Sequence, residues 1–272
     1  MNILTVDHDL CKKDGICVAE CPGQLISMEN EFPEMKRENE EFCIDCGHCV
    51  AVCNSAALSL QTLKPEDCLP MNKELKLSEE HVEHFLRSRR SIRSYKDKPV
   101  DRIILEKIIE IAGYAPTASN KQPVKWLIIN EKEDVSKIAG MVIAWMKHMI
   151  EEMPDLATEM RLPRIVSHYE AGTDRICRGA PHLIFTYAEN IHSYAATDCA
   201  TALGYLELAM PSFDLGGCWA GYVNFVANAW PPLIEMLGLP KGHKTHGAMM
   251  VGYPKYRYHR MPLRNKRSIV WK

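Results

Sequence analysis

The stretch Cys43-Ile44-Asp45-Cys46-Gly47-His48-Cys49-Val50-Ala51-Val52-Cys53 constrains this chain more than any other. Its four cysteines follow the spacing C-x2-C-x2-C-x3-C, a run that holds iron–sulfur clusters. Short loops let the first three thiolates converge on one cubane, and the fourth points toward a second cluster. Gly47 lets the backbone fold closely around the inorganic sulfides. The plainer alternatives are a zinc site or buried structural cysteines. Zinc sites usually pair two C-x2-C units at a distance, and four cysteines within eleven residues fit that poorly.

The rest of the composition agrees with a metal-bearing, non-disulfide protein. Seven of the 11 cysteines fall before residue 54, and 272 residues leave room for two domains without covalent staples, so a reducing cytosol is expected. The net charge of −2 is unevenly spread: residues 1–70 carry 5 Lys and Arg against 13 Asp and Glu, leaving the remainder net basic. The net charge argues neither for nor against a nucleic-acid partner, and none is expected. The N-terminus lacks the basic and apolar regions of a signal peptide, and no run approaches the ~18 apolar residues of a membrane span. The expected location is cytoplasmic.

The cysteine run has a partial internal copy. Cys11, Asp14, Cys17 and Cys21, followed by Pro22, repeat the later spacing with Asp14 in place of the second cysteine. Together the two runs resemble the two-cluster bacterial ferredoxins, over residues 1–63. In that family the fourth cysteine of each run crosses over. The resemblance therefore implies Cys11, Asp14, Cys17 and Cys53 for one cluster, and Cys43, Cys46, Cys49 and Cys21 for the other. Asp14 is a hard oxygen in a soft thiolate site, so that cluster is expected as 4Fe-4S or 3Fe-4S. A solvated turn residue beside Gly15 is the other reading of Asp14. Asn54 stands where proline is usual. Leu25–Met28 and Pro33–Met35 are expected as strands around a polar turn, with Ala56–Leu60 as their counterpart.

Residues 64–77 read as a linker holding Pro65 and Pro70. Ser78 then starts a helix with Val82, Phe85 and Leu86 on its buried face. Asp101 caps a second helix that buries Ile103, Ile104, Ile108, Ile111 and Ala112. A strand is expected over Val124–Asn130 and another over Ala180–Tyr187. A long helix follows over Asp198–Ala209, and Leu215–Gly221 turns into a strand. Gly247–Pro254 and a terminal strand at Ser268–Trp271 complete the pattern.

Five motifs occur in a telling order: Arg89-Arg90-Ser91-Ile92-Arg93; Ala115-Pro116-Thr117-Ala118-Ser119-Asn120-Lys121-Gln122-Pro123; Gly179-Ala180-Pro181; Gly216-Gly217-Cys218-Trp219-Ala220-Gly221; and Val251-Gly252-Tyr253-Pro254. In this order residues 78–272 resemble the flavin-dependent nitroreductase family. That resemblance implies a three-layer α/β/α domain, so that the whole chain is α+β, and a homodimer with FMN at the interface. Arg89, Arg90, Ser91 and Arg93 match positions around the phosphate, ribityl chain and pyrimidine edge. Pro116, Thr117, Ala118, Asn120 and Gln122 match a loop that approaches the flavin, usually from the other subunit. Ala118 replaces a common serine. Ala220 and Gly221 match the turn whose backbone N–H faces flavin N5. Arg260 matches a phosphate-binding arginine, Tyr258 stands where some relatives have lysine, and Arg264 is an extra cation nearby. Several fixed cations suit a dianionic phosphate, and the cofactor carries the chemistry, so no catalytic side chain is named.

The remaining residues receive plain readings. Met141, Trp145, Met146, Met149 and Met153 lie in a helix between Glu133 and Met153 and read as core or dimer packing. Cys177, Cys199 and Cys218 read as buried thiols, and the histidines of the second domain lack ligand spacing. The expected protein is an FMN-dependent oxidoreductase that passes electrons from 4Fe-4S clusters to FMN and on to an organic acceptor such as a nitroaromatic or quinone. An external donor, a ferredoxin, flavodoxin or NAD(P)H, is implied. The alternatives are an NAD(P)H-dependent flavin reductase whose clusters are an electron exit, and a non-enzymatic carrier or redox sensor.

Overall fold

The computed structural model describes residues 2–272 of the chain. The polypeptide divides into two compact units. The first comprises residues up to Leu77 together with Ala118–Lys121; the second comprises Ser78–Thr117 and Gln122–Lys272.

The first unit is built on β1 (Leu4–Val6), α1 (Ile16–Ala19), β2 (Ile26–Glu29), β3 (Phe32–Met35), α2 (His48–Val52) and β4 (Leu58–Leu60). β1 pairs antiparallel with β4, and β2 with β3. Asn30 and Glu31 join β2 to β3 with φ of 48° and 73°, the left-handed pair a tight hairpin requires. The cysteine repeat is also a repeat of backbone. Lys13 and Asp45, Gly15 and Gly47, and Gln24 and Ala56 all have positive φ at equivalent positions. Gly15 and Gly47, both at φ 70°, each open the short helix that carries the cysteine at the third position of its run, Cys17 and Cys49. A side chain at Gly47 would also strike Leu63, 2.6 Å from an added Cβ. The core is small: Leu4, Ile26, Met35, Val50, Leu58 and Leu60 close around buried Cys17 and Cys49.

The second unit contains α3 (Glu79–Ser88), α4 (Arg102–Ala112), β5 (Lys125–Ile129), α5 (Lys132–Glu152), α6 (Pro154–Glu159), α7 (Leu162–Glu170), β6 (His182–Glu189), α8 (Ala195–Ala209), β7 (Gly216–Trp219), α9 (Gly221–Val226), α10 (Pro231–Leu237) and β8 (His243–Gly252). The sheet order is β5-β6-β8-β7, antiparallel throughout. Alternation along the strands splits the interior into two cores. Leu183, Phe185, Ala248 and Met250 pack with α5, α7 and α9; Ile184, Met249 and Val251 pack with α4 and α8. Helices thus cover both faces, giving α/β/α layers. Among the described residues no helix is long and apolar enough to cross a membrane.

Three sequence expectations need correction. α4 buries Leu105, Ile108 and Ala112, while Ile103 is 73 % exposed and Ile111 also faces outward, because the buried stripe is rotated toward α8. No residue of α3 is buried: Val82 and Leu86 are exposed, although Ser78 does cap the helix by accepting from the His81 N–H. Ser268–Trp271 forms no strand, and Ile269, Val270 and Trp271 are exposed. A strand needs a pairing edge, and these residues have none within the sheet described.

Candidate functional site

The crossed cysteine sets line two separate cavities. Cys11, Asp14, Cys17 and Cys53 line one, beside Lys12, Lys13 and Ser55. Cys21, Cys43 and Cys46 line the other, about 210 Å³ in volume, with Leu25, Phe42 and Ile44. Cys49 is buried next to this second group and feels the charge of Cys46, Cys43 and Cys21. The thiols surround space rather than meeting at a point: among the described residues, no three His, Cys, Asp or Glu side chains are close enough to hold one metal ion. Soft sulfur donors spread around a cavity suit a polynuclear iron–sulfur group. Asp14 is both a wall of its cavity and a turn residue, since its carboxylate accepts from the Ile16 N–H at 3.2 Å.

The fourth cysteines receive matching support. The Leu25 N–H donates to Cys21 Sγ at 3.4 Å, and the Ala57 N–H donates to Cys53 Sγ at 3.3 Å. Such donors stabilise thiolate sulfur. Burial alone would raise the Cys53 thiol, but hydrogen bonds from Ser55, Ala57 and Leu58 bring it below its ordinary value. Burial pushes Cys17 up and pushes Cys49 up to about 11. A cationic iron core is the partner that lets such buried sulfurs ionise.

In the second unit, the Arg89–Arg93 segment is laid on β7. The Ile92 N–H donates to the Gly217 carbonyl at 2.8 Å. An added Cβ at Gly216 would lie 2.3 Å from Ile92, so only glycine permits this approach. The buried Tyr95 hydroxyl donates to the Ile92 carbonyl at 2.7 Å and fixes the segment from the other side. Arg89 forms an ion pair with Glu207 of α8 at 2.7 Å. Arg90 donates to the Arg87 carbonyl at 2.7 Å, and its buried Nε has no hydrogen-bond partner among the described residues. That orphaned donor points to an acceptor the protein itself does not supply.

Arg87, Arg89 and Arg90 share a cleft of about 580 Å³ with Met261–Arg267, which brings in Arg264, Lys266 and Arg267. Ser91, Arg93 and Arg260 do not line it; Arg93 donates to the Ser91 carbonyl at 3.4 Å, and Arg260 is exposed. The cleft's cations suit a phosphate-bearing ligand. At the 220–221 turn, the Ala220 N–H is already donated to the Ala248 carbonyl at 2.8 Å. The donor left at this turn is that of Gly221, the first residue of α9, where helical N–H groups lack an intrahelical acceptor.

The 116–122 loop is divided between the units. Pro116, Thr117 and Gln122 belong to the second, with the Gln122 N–H donating to Thr117 Oγ1 at 3.0 Å. Ala118 and Asn120 belong to the first, where Asn120 Nδ2 donates to the carbonyls of Ile44 and Asp45. Sequence reasoning missed Glu207, Tyr95, Lys266 and Arg267. The basic tail Arg264-Asn265-Lys266-Arg267 was a visible signal for the last two; the Arg89–Glu207 pairing, 118 residues apart, left none.

The nitroreductase family model matches residues 86–253, more than half of the chain. The chain belongs to the nitroreductase family. A 4Fe-4S dicluster domain model matches residues 3–54 of this family member, ahead of the nitroreductase segment. The NADH dehydrogenase of Thermus thermophilus is 28% identical over 198 residues, covering 68% of this chain and 92% of that protein. The FMN reductase [NAD(P)H] of Bacillus subtilis is 29% identical over 181 residues, covering 65% of this chain and 67% of that one. Among solved structures, a Bacteroides fragilis nitroreductase with bound FMN matches 72% of this chain and all of its own, with a TM-score of 0.58 at 19% identity. The nitroreductase fold of the second unit and the α+β class are therefore established, and the chain is an iron–sulfur member of a family of FMN-dependent oxidoreductases.

Proposed function

We propose that this protein is an iron–sulfur flavoprotein oxidoreductase. It carries two cubane-type clusters in its first unit and FMN on its second, and it delivers electrons to an organic acceptor such as a nitroaromatic or quinone. The observation that carries the reading is the pairing of crossed cysteine cavities with a nitroreductase unit in one chain. When bound, the clusters supply single-electron transfer, and FMN supplies the conversion between one-electron and two-electron chemistry.

The chain's own residues have separate tasks. Cys11, Asp14, Cys17 and Cys53 hold one cluster, and Cys21, Cys43, Cys46 and Cys49 hold the other. Arg89 and Arg90 neutralise the FMN phosphate, with Glu207 keeping Arg89 in place. Arg264, Lys266 and Arg267 extend that basic lining. Ser91, Arg93, Pro116, Thr117, Gln122 and Arg260 flank the flavin, and the Gly221 N–H orients its reactive edge. No side chain is assigned as an acid or base. The unburied apolar stripe of α3 and the exposed tail support a homodimer in which a second copy covers them.

The test is anaerobic stopped flow on the holoprotein with a low-potential one-electron reductant. Cluster bleaching followed by flavin bleaching is expected. Clusters that become fully reduced while bound flavin stays oxidised would sink the proposal. A direct NAD(P)H-dependent reaction is the second reading, favoured by the relatives named NADH dehydrogenase and FMN reductase; rapid flavin bleaching by NAD(P)H ahead of the clusters would favour it.

A further inference from the structure

Phe225 stands out in the second unit as a large ring that is 54 % exposed yet held firmly from behind. It meets the ring of Trp145 on α5, with centroids 5.3 Å apart and planes at 57°. Trp145 is itself buried in the core, together with Val142 and Met146 of the same helix. Aromatic pairs of this kind are stabilised beyond the area they bury. One exposed apolar side chain is ordinary. A braced ring differs, because it cannot fold away from water, and its outer face is a fixed apolar surface.

The neighbourhood of that surface is specific. Phe225 lies four residues after Gly221 in α9, so the two share one face of the helix, about 6 Å apart along its axis. A Cβ added at Gly221 would meet nothing within 4 Å, so the space over this face is open. The face begins at the 220–221 turn, where the Ala220 N–H is spent on the Ala248 carbonyl and that of Gly221 is left. The chain just beyond α9 is also fixed. Asn228 Nδ2 donates to the Thr245 carbonyl at 3.0 Å and to Thr245 Oγ1 at 2.8 Å, and the Trp230 ring lies 5.1 Å from that of His148 on α5. An open glycine, a rigid ring and an unused backbone donor thus occur together along one helical turn.

We infer that Gly221 and Phe225 form the subsite for the organic acceptor, and that this subsite takes a planar aromatic ring. The inference rests on the iron–sulfur flavoprotein reading, which puts the reactive edge of FMN at the Gly221 N–H. A flat ring can approach the backbone at Gly221 because no side chain intervenes, and it packs against the outer face of Phe225. A saturated ring is puckered, and its axial hydrogens hold it off both surfaces. Phe225 is therefore a specificity-determining residue. It favours nitroaromatics and quinones over alicyclic acceptors by touching the ring rather than the reducible group.

Nitrobenzene and nitrocyclohexane carry the same nitro group on a flat and a puckered ring, and their binding tests this. Each is titrated calorimetrically into the oxidised holoprotein without any reductant, so neither is consumed. Wild-type protein is expected to bind nitrobenzene about ten-fold more tightly than nitrocyclohexane. Phe225→Leu should bring the ratio to about one, and Phe225→Tyr, which keeps the ring, should preserve it. Gly221→Ala meets no clash within the protein, so it folds, but its methyl group stands where the ring would lie. It should weaken nitrobenzene binding at least about ten-fold. FMN per chain is measured in every variant and is expected at the wild-type level. A ratio near one in flavin-loaded wild-type protein, a ratio that survives in Phe225→Leu, or unchanged binding in Gly221→Ala overturns the inference. Loss of FMN from Phe225→Leu but not from Phe225→Tyr also overturns it, by seating the flavin rather than the acceptor on the ring. Wild-type protein that carries no FMN would instead remove the functional reading on which the inference stands.

Discussion

His182 is fixed in one neutral tautomer. It is fully buried, its Nε2 accepts from the Val100 N–H at 2.8 Å, and its Nδ1 therefore donates to the Asn130 carbonyl, also at 2.8 Å. Burial holds its pKa below the ordinary 6.5, with the Asn130 carbonyl acting in the opposite sense. Protonation below pH 6.5 thus favours the unfolded chain. The stabilisation is fully present above that pH and is lost as pH falls toward the depressed value of the folded state. His246 is shifted in the same direction, chiefly by burial. Denaturation between pH 7 and pH 5 should show His182→Gln to be less stable at pH 7 but less sensitive to acid, its slope smaller by up to about 1.4 kcal/mol per pH unit. Equal slopes in the two proteins would show that His182 does not titrate on unfolding. The sequence marked this histidine as no ligand, but its structural task depends on two backbone groups 82 and 52 residues away, which no local spacing reveals.

At the scale of elements, legibility followed periodicity. The strands were readable because buried residues run along them with few interruptions, as in β6 from His182 to Phe185 and on through Thr186. Helix starts were readable from their caps: Ser78 and Asp101 both accept from the helix they precede. Which apolar face turns inward was less readable. α4 has isoleucines around much of its circumference, and packing against α8 chose Leu105 and Ile108 over Ile103 and Ile111. The stripe of α3 was legible as a stripe, but among the described residues nothing buries it. If a second copy covers it, Val82→Glu should weaken self-association at least about ten-fold, because a carboxylate would be buried in the contact. Sedimentation over a concentration series checks this; an unchanged mass distribution would place the dimer contact elsewhere.

At the scale of the molecule, the chain combines an acidic first unit with a basic second one, and each carries its own candidate site. The doubled cysteine run was legible, because its spacing survives as backbone geometry: positive φ recurs at equivalent places in both runs. The flavin half was legible as an order of motifs, yet the duties within it were not. Arg89 proved to be anchored by a carboxylate from α8, the Ala220 N–H to be spent within the sheet, and Asn120 to belong to the cysteine loop. Each of these is a pairing distant in sequence, and such pairings leave no mark in local pattern. The central claim is that one chain holds two clusters and a flavin. It is tested most directly by iron, acid-labile sulfide and FMN per chain on anaerobically purified protein. The account predicts about seven or eight iron and one FMN per chain, eight with a complete cubane at Asp14 and seven with a three-iron cluster there. Iron without FMN, or FMN without iron, would contradict it.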